Sequence, residues 1–311
     1  MSPLLLTLLV LSGVAALGLA LWAILAPGDR MAARVSRRVG LALPAEPLRG
    51  KLVRRMRRTT RWTSGAAAAG AVVGIAGVAT AAASGSIGPD DTTPIWLAFA
   101  GLVLGGAVGA VLAIVTESRS AEPGQPRVAR ATPRELRDYL DPIELVGARV
   151  TAVLGVATTV ALLAWPAART IQVATPVAVT LLAAAGAVAL VVLEVAGRRV
   201  VLGRSRISES PAELAWDDAL RSDDLRRLVT AVLMTSTYAV IFGVFPLAGA
   251  LGSLLLPDAL LMVAVNLAFY VLMAAAVVIL VLSTVRKPAR FYLRRLWPEV
   301  AAQEARAAAE R

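Results

Sequence analysis

The chain has 311 residues, of which 58% are hydrophobic, and its formal net charge at pH 7 is +11. Only 17% of the residues are charged and the apolar ones fall in long runs, which excludes an ordinary soluble domain and indicates a membrane protein. Cysteine and histidine are both absent, which excludes disulfides, thiol chemistry, zinc and haem sites of the usual kinds, and a Ser-His-Asp triad.

Seven apolar runs are long enough to cross ~30 Å of hydrocarbon, a thickness that requires roughly 20 helical residues. Helices are expected because lipid cannot satisfy exposed backbone groups. The predicted fold is therefore all-α, a polytopic membrane bundle of seven transmembrane helices. The predicted spans are 4–26, 65–83, 95–115, 146–165, 174–195, 228–251 and 259–282.

The basic residues predict the orientation of these spans. Alternate connections, together with the tail, hold thirty basic residues, whereas the connections on the other side hold only Arg169. By the positive-inside rule, the N-terminus lies outside and the C-terminus lies in the cytoplasm. The first span has no basic n-region and is followed by a positive flank, so we predict a retained anchor. Thirty arginines against two lysines, with abundant Ala, Val and Gly, suggest a bacterial plasma-membrane protein.

These spans predict a single membrane domain, residues 1–311, with one anchor helix followed by three helical hairpins. Cytoplasmic segments of about 30 residues precede the hairpins, and the hairpins resemble one another either by internal duplication or because insertion imposes similar patterns. The predicted parts are the anchor (1–26), a basic segment (27–64), hairpin 1 (65–115), a second segment (116–145), hairpin 2 (146–195), a third segment (196–227), hairpin 3 (228–283) and a basic tail (284–311).

Two short segments have the residue order of a helix start. They are Thr132-Pro133-Arg134-Glu135-Leu136 and Ser210-Pro211-Ala212-Glu213-Leu214. The hydroxyl can cap free N–H groups, proline suits the first helical position, and the glutamate can close a capping box. Each segment therefore predicts a short amphipathic cytoplasmic helix leading into a hairpin. The residues that we expect to dock a partner protein are Glu135, Arg134, Glu213 and Trp216.

Polar side chains within the spans are the usual candidates for a substrate path. Asn266 and Tyr270 are four residues apart and share a face of the seventh span, and Thr235, Thr237 and Tyr238 lie in the sixth. Two interpretations remain open, because Asn, Ser and Thr in membranes also form structural hydrogen bonds between or within helices. Gly70 and Gly74, and Gly101, Gly105 and Gly109, recur every four residues and predict close helix packing.

No charged residue lies near the middle of a predicted span. Glu194 is expected to pair with Arg198 four residues later, the alternative being a ligand for a coupling ion. Arg149 is expected to reach the lipid headgroups. The acidic pairs Asp217-Asp218 and Asp223-Asp224 predict a solvated helix face, although paired carboxylates can also hold Mg²⁺.

The basic segments predict contact with lipid rather than with nucleic acid. Arg54-Arg55-Met56-Arg57-Arg58 precedes a span directly, and the tail 290–297 mixes basic and aromatic residues as an interfacial helix does. The expected partner is thus a bilayer with anionic lipids on its cytoplasmic side. No phosphate-binding loop of the G-x-x-x-x-G-K-[ST] type occurs, and no metal or cofactor is predicted.

Three functions remain open from the sequence. The first is a small permease, or the membrane subunit of a transport complex whose ATPase or other membrane subunit is a separate chain. The second is an assembly or regulatory protein that binds partners through its cytoplasmic helices. The third, a membrane enzyme, lacks any recognised catalytic motif and would need Glu144, Glu194 and Asp218 to converge.

Overall fold

The computed structural model describes eight α-helices in the parts of the chain that it places. These parts are residues 28–44, 46, 48–83, 93–118, 135–164, 174–198, 211–255 and 290–302, with isolated positions between 13 and 25 and at 260, 263 and 267. The helices are α1 (Gly28–Val39), α2 (Leu48–Ala83), α3 (Thr93–Ser118), α4 (Leu136–Tyr139), α5 (Pro142–Ala164), α6 (Ala174–Ala196), α7 (Pro211–Leu255) and α8 (Phe291–Leu296).

Five of these helices, α2, α3, α5, α6 and α7, are long and apolar enough to cross a membrane. They contain the predicted spans two to six, so the all-helical class is confirmed, and the five apolar helices are compatible with a membrane-embedded protein. The predicted spans 4–26 and 259–282 fall mainly outside the described residues, and the count of seven spans stays a prediction.

Two helices begin much earlier than predicted. The basic segment 27–64 holds the short helix α1, and its part from Leu48 onward is the first part of α2. The acidic segment from Pro211 is the first part of α7 and forms no separate short helix. Of the two predicted short helices, the structure has only the one before hairpin 2, which is α4. Here the predicted cap is displaced, because Glu135 is extended at the N-cap and its N–H donates to Asp138 Oδ2 at 3.0 Å.

Glycines join α2 to α3. A Cβ atom added to Gly70 would collide with the carbonyl oxygen of Gly101, and one added to Gly101 would collide with that of Gly70. Gly105 and Gly109 approach the backbone of α2 in the same way. The predicted packing role of these glycines is confirmed, because any side chain would separate the two helices.

A second close approach joins α5, α6 and α7. Gly155 of α5 faces the backbone of Ser236, and Gly186 of α6 faces its side chain. Around this junction Leu162, Val179 and Leu182 are fully buried. The three helices therefore pack tightly around Ser236, within the part of α7 that was predicted as the sixth span.

Charged residues end at one level of this bundle. In the sequence, α2 carries none after Arg61, α5 none after Arg149, and α7 none after Arg227. At the same level, Arg58 of α2 donates to the carbonyl of Thr116 near the end of α3. We use "charged layer" for the part on the charged side of this level: α1, α2 up to Arg61, α4, α7 up to Arg227, and α8.

Candidate functional site: the charged layer

The first part of α7 forms the centre of the charged layer. Its buried positions include Ala215, Asp218, Ser222, Leu225 and Val229, which recur at intervals of three and four residues. Such spacing places all five on one helix face. Two of them are polar, so this face carries hydrogen-bonding groups into the interior.

Asp218 is completely buried at the meeting point of three helices. Its Oδ1 accepts a hydrogen bond from the hydroxyl of Tyr139 in α4, and its Oδ2 accepts one from the indole N–H of Trp297 after α8, each at 3.0 Å. Ser222, one turn along α7, donates to the carbonyl oxygen of Tyr139 at 3.1 Å. Burying a carboxylate is costly unless hydrogen bonds satisfy it, so these donors fix α4 and α8 against α7.

Arg55 connects α2 to the same helix. Its Nη2 lies 2.7 Å from Asp224 Oδ2 and its Nη1 lies 3.9 Å from Asp217 Oδ1. Arg221 pairs with the other oxygen of Asp217 at 2.8 Å. All four side chains are at most 15% exposed. The predicted solvated face of the two acidic pairs is therefore wrong for Asp218 and Asp224, which are buried.

Two further pairs lie just before the apolar stretch of α7. Arg226 Nε is 3.3 Å from Glu144 Oε2, which joins α7 to α5, and Arg227 Nη2 is 2.7 Å from Asp223 Oδ2. Burial acts to raise the pKa of Asp223, but the charge and hydrogen bond of Arg227 outweigh it, so the pKa lies below its ordinary value. Burial lowers the pKa of Arg226, and Glu144 opposes that effect only in part.

The C-terminal helix α8 packs into the interior of the charged layer. Tyr292 and Leu293 are at most 1% exposed, and the Arg290 guanidinium donates to the carbonyl oxygens of Arg37 and Arg38 at the end of α1. These two side chains pack on protein rather than on lipid, and contact of the remaining tail with lipid stays a prediction. Cations at the C-terminus of α1 also complement its dipole.

The predicted docking residues occupy different environments. Glu135 is 60% exposed and pairs with Arg137. Trp216 is buried, and its indole N–H donates to the carbonyl oxygen of Ala42. Glu213 lies half-buried in the first turn of α7, and Arg134 is outside the described residues. Glu135 is thus the one of the four whose side chain the structure places at the surface, and docking itself stays a prediction.

The predicted substrate-lining residues of α7 are one buried and two half-buried side chains. Thr235 is buried and its hydroxyl donates back to the carbonyl oxygen of Ala231 at 2.7 Å. Tyr238 lies edge-to-face with Phe99 of α3, with ring centroids 4.7 Å apart. Thr237 is half-buried. Asn266 and Tyr270 are outside the described residues.

The carboxylates considered for an enzyme each have their own partners. Glu194 pairs with Arg198 at 2.9 Å, as predicted, and its Oε1 also accepts from Arg149 Nε at 2.9 Å. Arg149 therefore joins α5 to α6 rather than reaching only toward headgroups. Glu144 pairs with Arg226 in the charged layer. Within the described ranges, no group of three or more acidic side chains is arranged to hold a metal ion.

Comparisons with known protein families, with curated proteins and with solved structures gave no match. The class that the fold defines is an all-helical protein with five long apolar helices, compatible with a membrane protein, that continue into, or pack beneath, a charged layer held by buried polar groups.

Proposed function

We propose that this protein is the membrane subunit of a larger complex, and that its charged layer faces the cytoplasm and docks a partner protein. The positive-inside distribution of thirty basic residues supports this orientation. In a transport complex the partner would be a separate ATPase or membrane subunit. In an assembly or regulatory role it would be a protein that this chain recruits to the bacterial plasma membrane.

The observation that carries the proposal is the fully buried Asp218 with its donors Tyr139 and Trp297. Short helices such as α4 and α8 are not stable alone, since a nucleus of one or two turns is unfavourable. Fixed to one carboxylate, they present a preorganised surface, which lowers the entropic cost of binding. A lipid-anchoring role alone would not require this interior.

The exposed surface around the junction of Asp218, Tyr139 and Trp297 carries both positive and negative charge and lies at a distance from the apolar stretches. Glu135, Arg137 and Arg294 are exposed there, and Arg295 pairs with Asp138 at 3.5 Å. At about 1.5 Å per residue, the ten residues from Asp218 to Leu228 place this junction roughly 15 Å from the apolar stretch of α7. The lipid headgroups take up about 5–8 Å of that distance. About one Debye length, roughly 8 Å, then separates the junction from the lipid phosphates, so their attraction is weakened there and a protein partner suits the surface.

Site-specific photocrosslinking in cells tests this function. A crosslinker at Arg137 or Arg294 should capture one defined partner, identified by mass spectrometry and confirmed by reciprocal purification. The same crosslinker at Val153 or Val188, which are exposed on the apolar parts of α5 and α6, provides the control. Identical products at all four positions would contradict the proposal.

Transport through the chain itself is a second candidate, favoured by Ser236. This residue is fully buried in the apolar part of α7, and its hydroxyl makes no hydrogen bond among the described residues. A buried unpaired hydroxyl beside Gly186 is costly and can be retained for a polar substrate or ion. The neighbouring Thr235, by contrast, is satisfied within its own helix.

Proteoliposomes test the transport proposal. Purified protein should carry a small polar solute or ion across the vesicle membrane, and Ser236→Ala should reduce the rate without lowering the unfolding temperature. Thr230→Ala, at an exposed position of the same helix, is the matched control. Equal rates in wild-type, Ser236→Ala and empty vesicles would contradict it.

A further inference from the structure

α1 has two faces of opposite character. Ala32 and Val39 are buried against the other helices of the charged layer, with Met31 and Val35 packed beside them. The opposite face carries Arg30, Arg34 and Arg37, at positions i, i+4 and i+7, and all three are exposed. These residues therefore form one basic stripe along the helix.

The stripe is not neutralised within the protein. None of its three arginines forms an ion pair in the part of the chain that the structure describes. The nearby acid on α1, Asp29, pairs with Arg49 at 2.9 Å. On α2, the exposed Arg57 and Arg61 add to the positive potential beside α1. Such a surface attracts anions in proportion to its unpaired charge.

Contacts of α1 with α2 fix the depth of the stripe. Thr60 Oγ1 lies 4.0 Å from Met31 Sδ, and Gly28 packs against Val53 and Arg57. Thr60 stands two residues, or about 3 Å of helix, before Trp62, where the glycine contacts between α2 and α3 begin. The headgroup region adds about 5–8 Å to each side of the hydrocarbon. The part of α1 at Met31 thus lies at or beside headgroup depth, whereas its first residue, Gly28, packs on Val53, roughly 13 Å of helix before Trp62.

We propose that the stripe formed by Arg30, Arg34 and Arg37 binds the phosphate groups of anionic phospholipids in the adjacent leaflet. Arginine donates several hydrogen bonds in a fixed fork that matches phosphate oxygens. Within a Debye length of the membrane surface, these cations gain attraction that the distal part of the charged layer does not. The site goes beyond partner docking, because it lies on another helix and at another depth.

The experiment uses the full-length protein in detergent, titrated with phosphatidylglycerol or phosphatidylcholine and followed by native mass spectrometry. Wild-type protein should bind phosphatidylglycerol in preference, and added salt should weaken the binding. Arg34→Gln with Arg37→Gln should lower the apparent affinity about tenfold. Lys51→Gln with Arg294→Gln removes the same charge from exposed positions that form no ion pair among the described residues and lie in the distal part of the charged layer, and should change it less than threefold.

Arg34→Lys with Arg37→Lys keeps the charge and should recover most of the binding, which separates electrostatics from misfolding. Unfolding temperatures of all variants provide the folding control. Equal losses in the two glutamine variants, or equal binding of both lipids, would overturn the proposal. A third result would also overturn the proposal: wild-type protein binds polyglutamate in a salt-dependent way, and Arg34→Gln with Arg37→Gln abolishes that binding but leaves lipid binding unchanged. The stripe would then bind an acidic protein rather than lipid.

Discussion

The two ends of α2 are held by opposite means. Beyond Arg61, α2 packs on α3 through Gly70 and Gly74, where backbones touch and no polar side chain takes part. Before Arg61, the same helix joins α7 through the guanidinium of Arg55 and the carboxylates of Asp217 and Asp224. The change occurs within a few turns of one continuous helix.

The difference follows from the surrounding solvent. Lipid chains are as apolar as leucine, so helices in lipid gain from close contact rather than from burying apolar surface, and glycine permits the closest contact. In the charged layer the solvent is water, so burying apolar side chains is again favourable. Leu52 and Met56 are accordingly buried beside the ion pairs. The polar groups there determine which helices meet, since a misplaced partner would leave a charge unpaired.

The largest expected effect is in the charged layer. Arg55→Met should leave Asp224 without the guanidinium that lies 2.7 Å away and weaken the neutralisation of Asp217. Breaking a buried pair in this way costs about 3–5 kcal/mol in the free energy of unfolding. SDS-induced unfolding in mixed micelles measures it. Arg49→Met, which breaks an exposed pair with Asp29, should cost less than about 1 kcal/mol.

A smaller loss is expected between α2 and α3. In Gly101→Ala the new methyl group meets the Gly70 carbonyl, which cannot move without separating the helices. Overpacking of this kind costs about 1–3 kcal/mol. Gly77→Ala on the outer face of α2 meets nothing within 4 Å and should leave stability unchanged or slightly raised. If both substitutions behave alike, glycine contact does not hold this pair together.

Trp297→Phe tests how α8 is fixed. The substitution keeps the ring and removes the N–H that donates to Asp218, so that one oxygen of a buried carboxylate loses a partner. The expected cost is about 1–3 kcal/mol. Hydrogen exchange should rise in residues 290–302 before it rises in α7. Trp62→Phe, with the indole of α2 exposed at the bundle surface, is the control and should leave that exchange unchanged.

Hydrophobic runs predicted five of the membrane helices, because length and polarity alone decide which segments cross lipid. They did not predict the starts of α2 and α7. Charge marked 48–64 as a connection, yet Leu52 and Met56 are spaced one turn apart and both are buried. Arginine, leucine and methionine are all good helix formers, so the helix continues across the solvent boundary.

The buried carboxylate was missed although the sequence carried its signal. Asp218 lies in phase with Ala215, Ser222, Leu225 and Val229, a pattern typical of an inward face. The adjacent acid, Asp217, instead favours a solvated face for the pair. What the sequence could not supply was the donors, because Tyr139 and Trp297 lie 79 residues away in the chain on either side. Such contacts depend on the tertiary arrangement alone.

The smallest expected effect lies at the level where the two regions meet. Glu194→Gln would weaken two ion pairs, but Arg149 and Arg198 are 46% and 63% exposed and can turn to water or headgroups. Exposed pairs are worth about 0.2–1 kcal/mol each, and the loss should shrink as salt rises. Arg198→Gln is the companion variant and should cost no more. A loss above about 3 kcal/mol for Glu194→Gln would mean that the buried polar interior extends past this level into the membrane helices. In that case α6, unlike α2, would not change from buried polar contacts to apolar packing at this level, and Glu194 would again be a candidate ligand for a coupling ion.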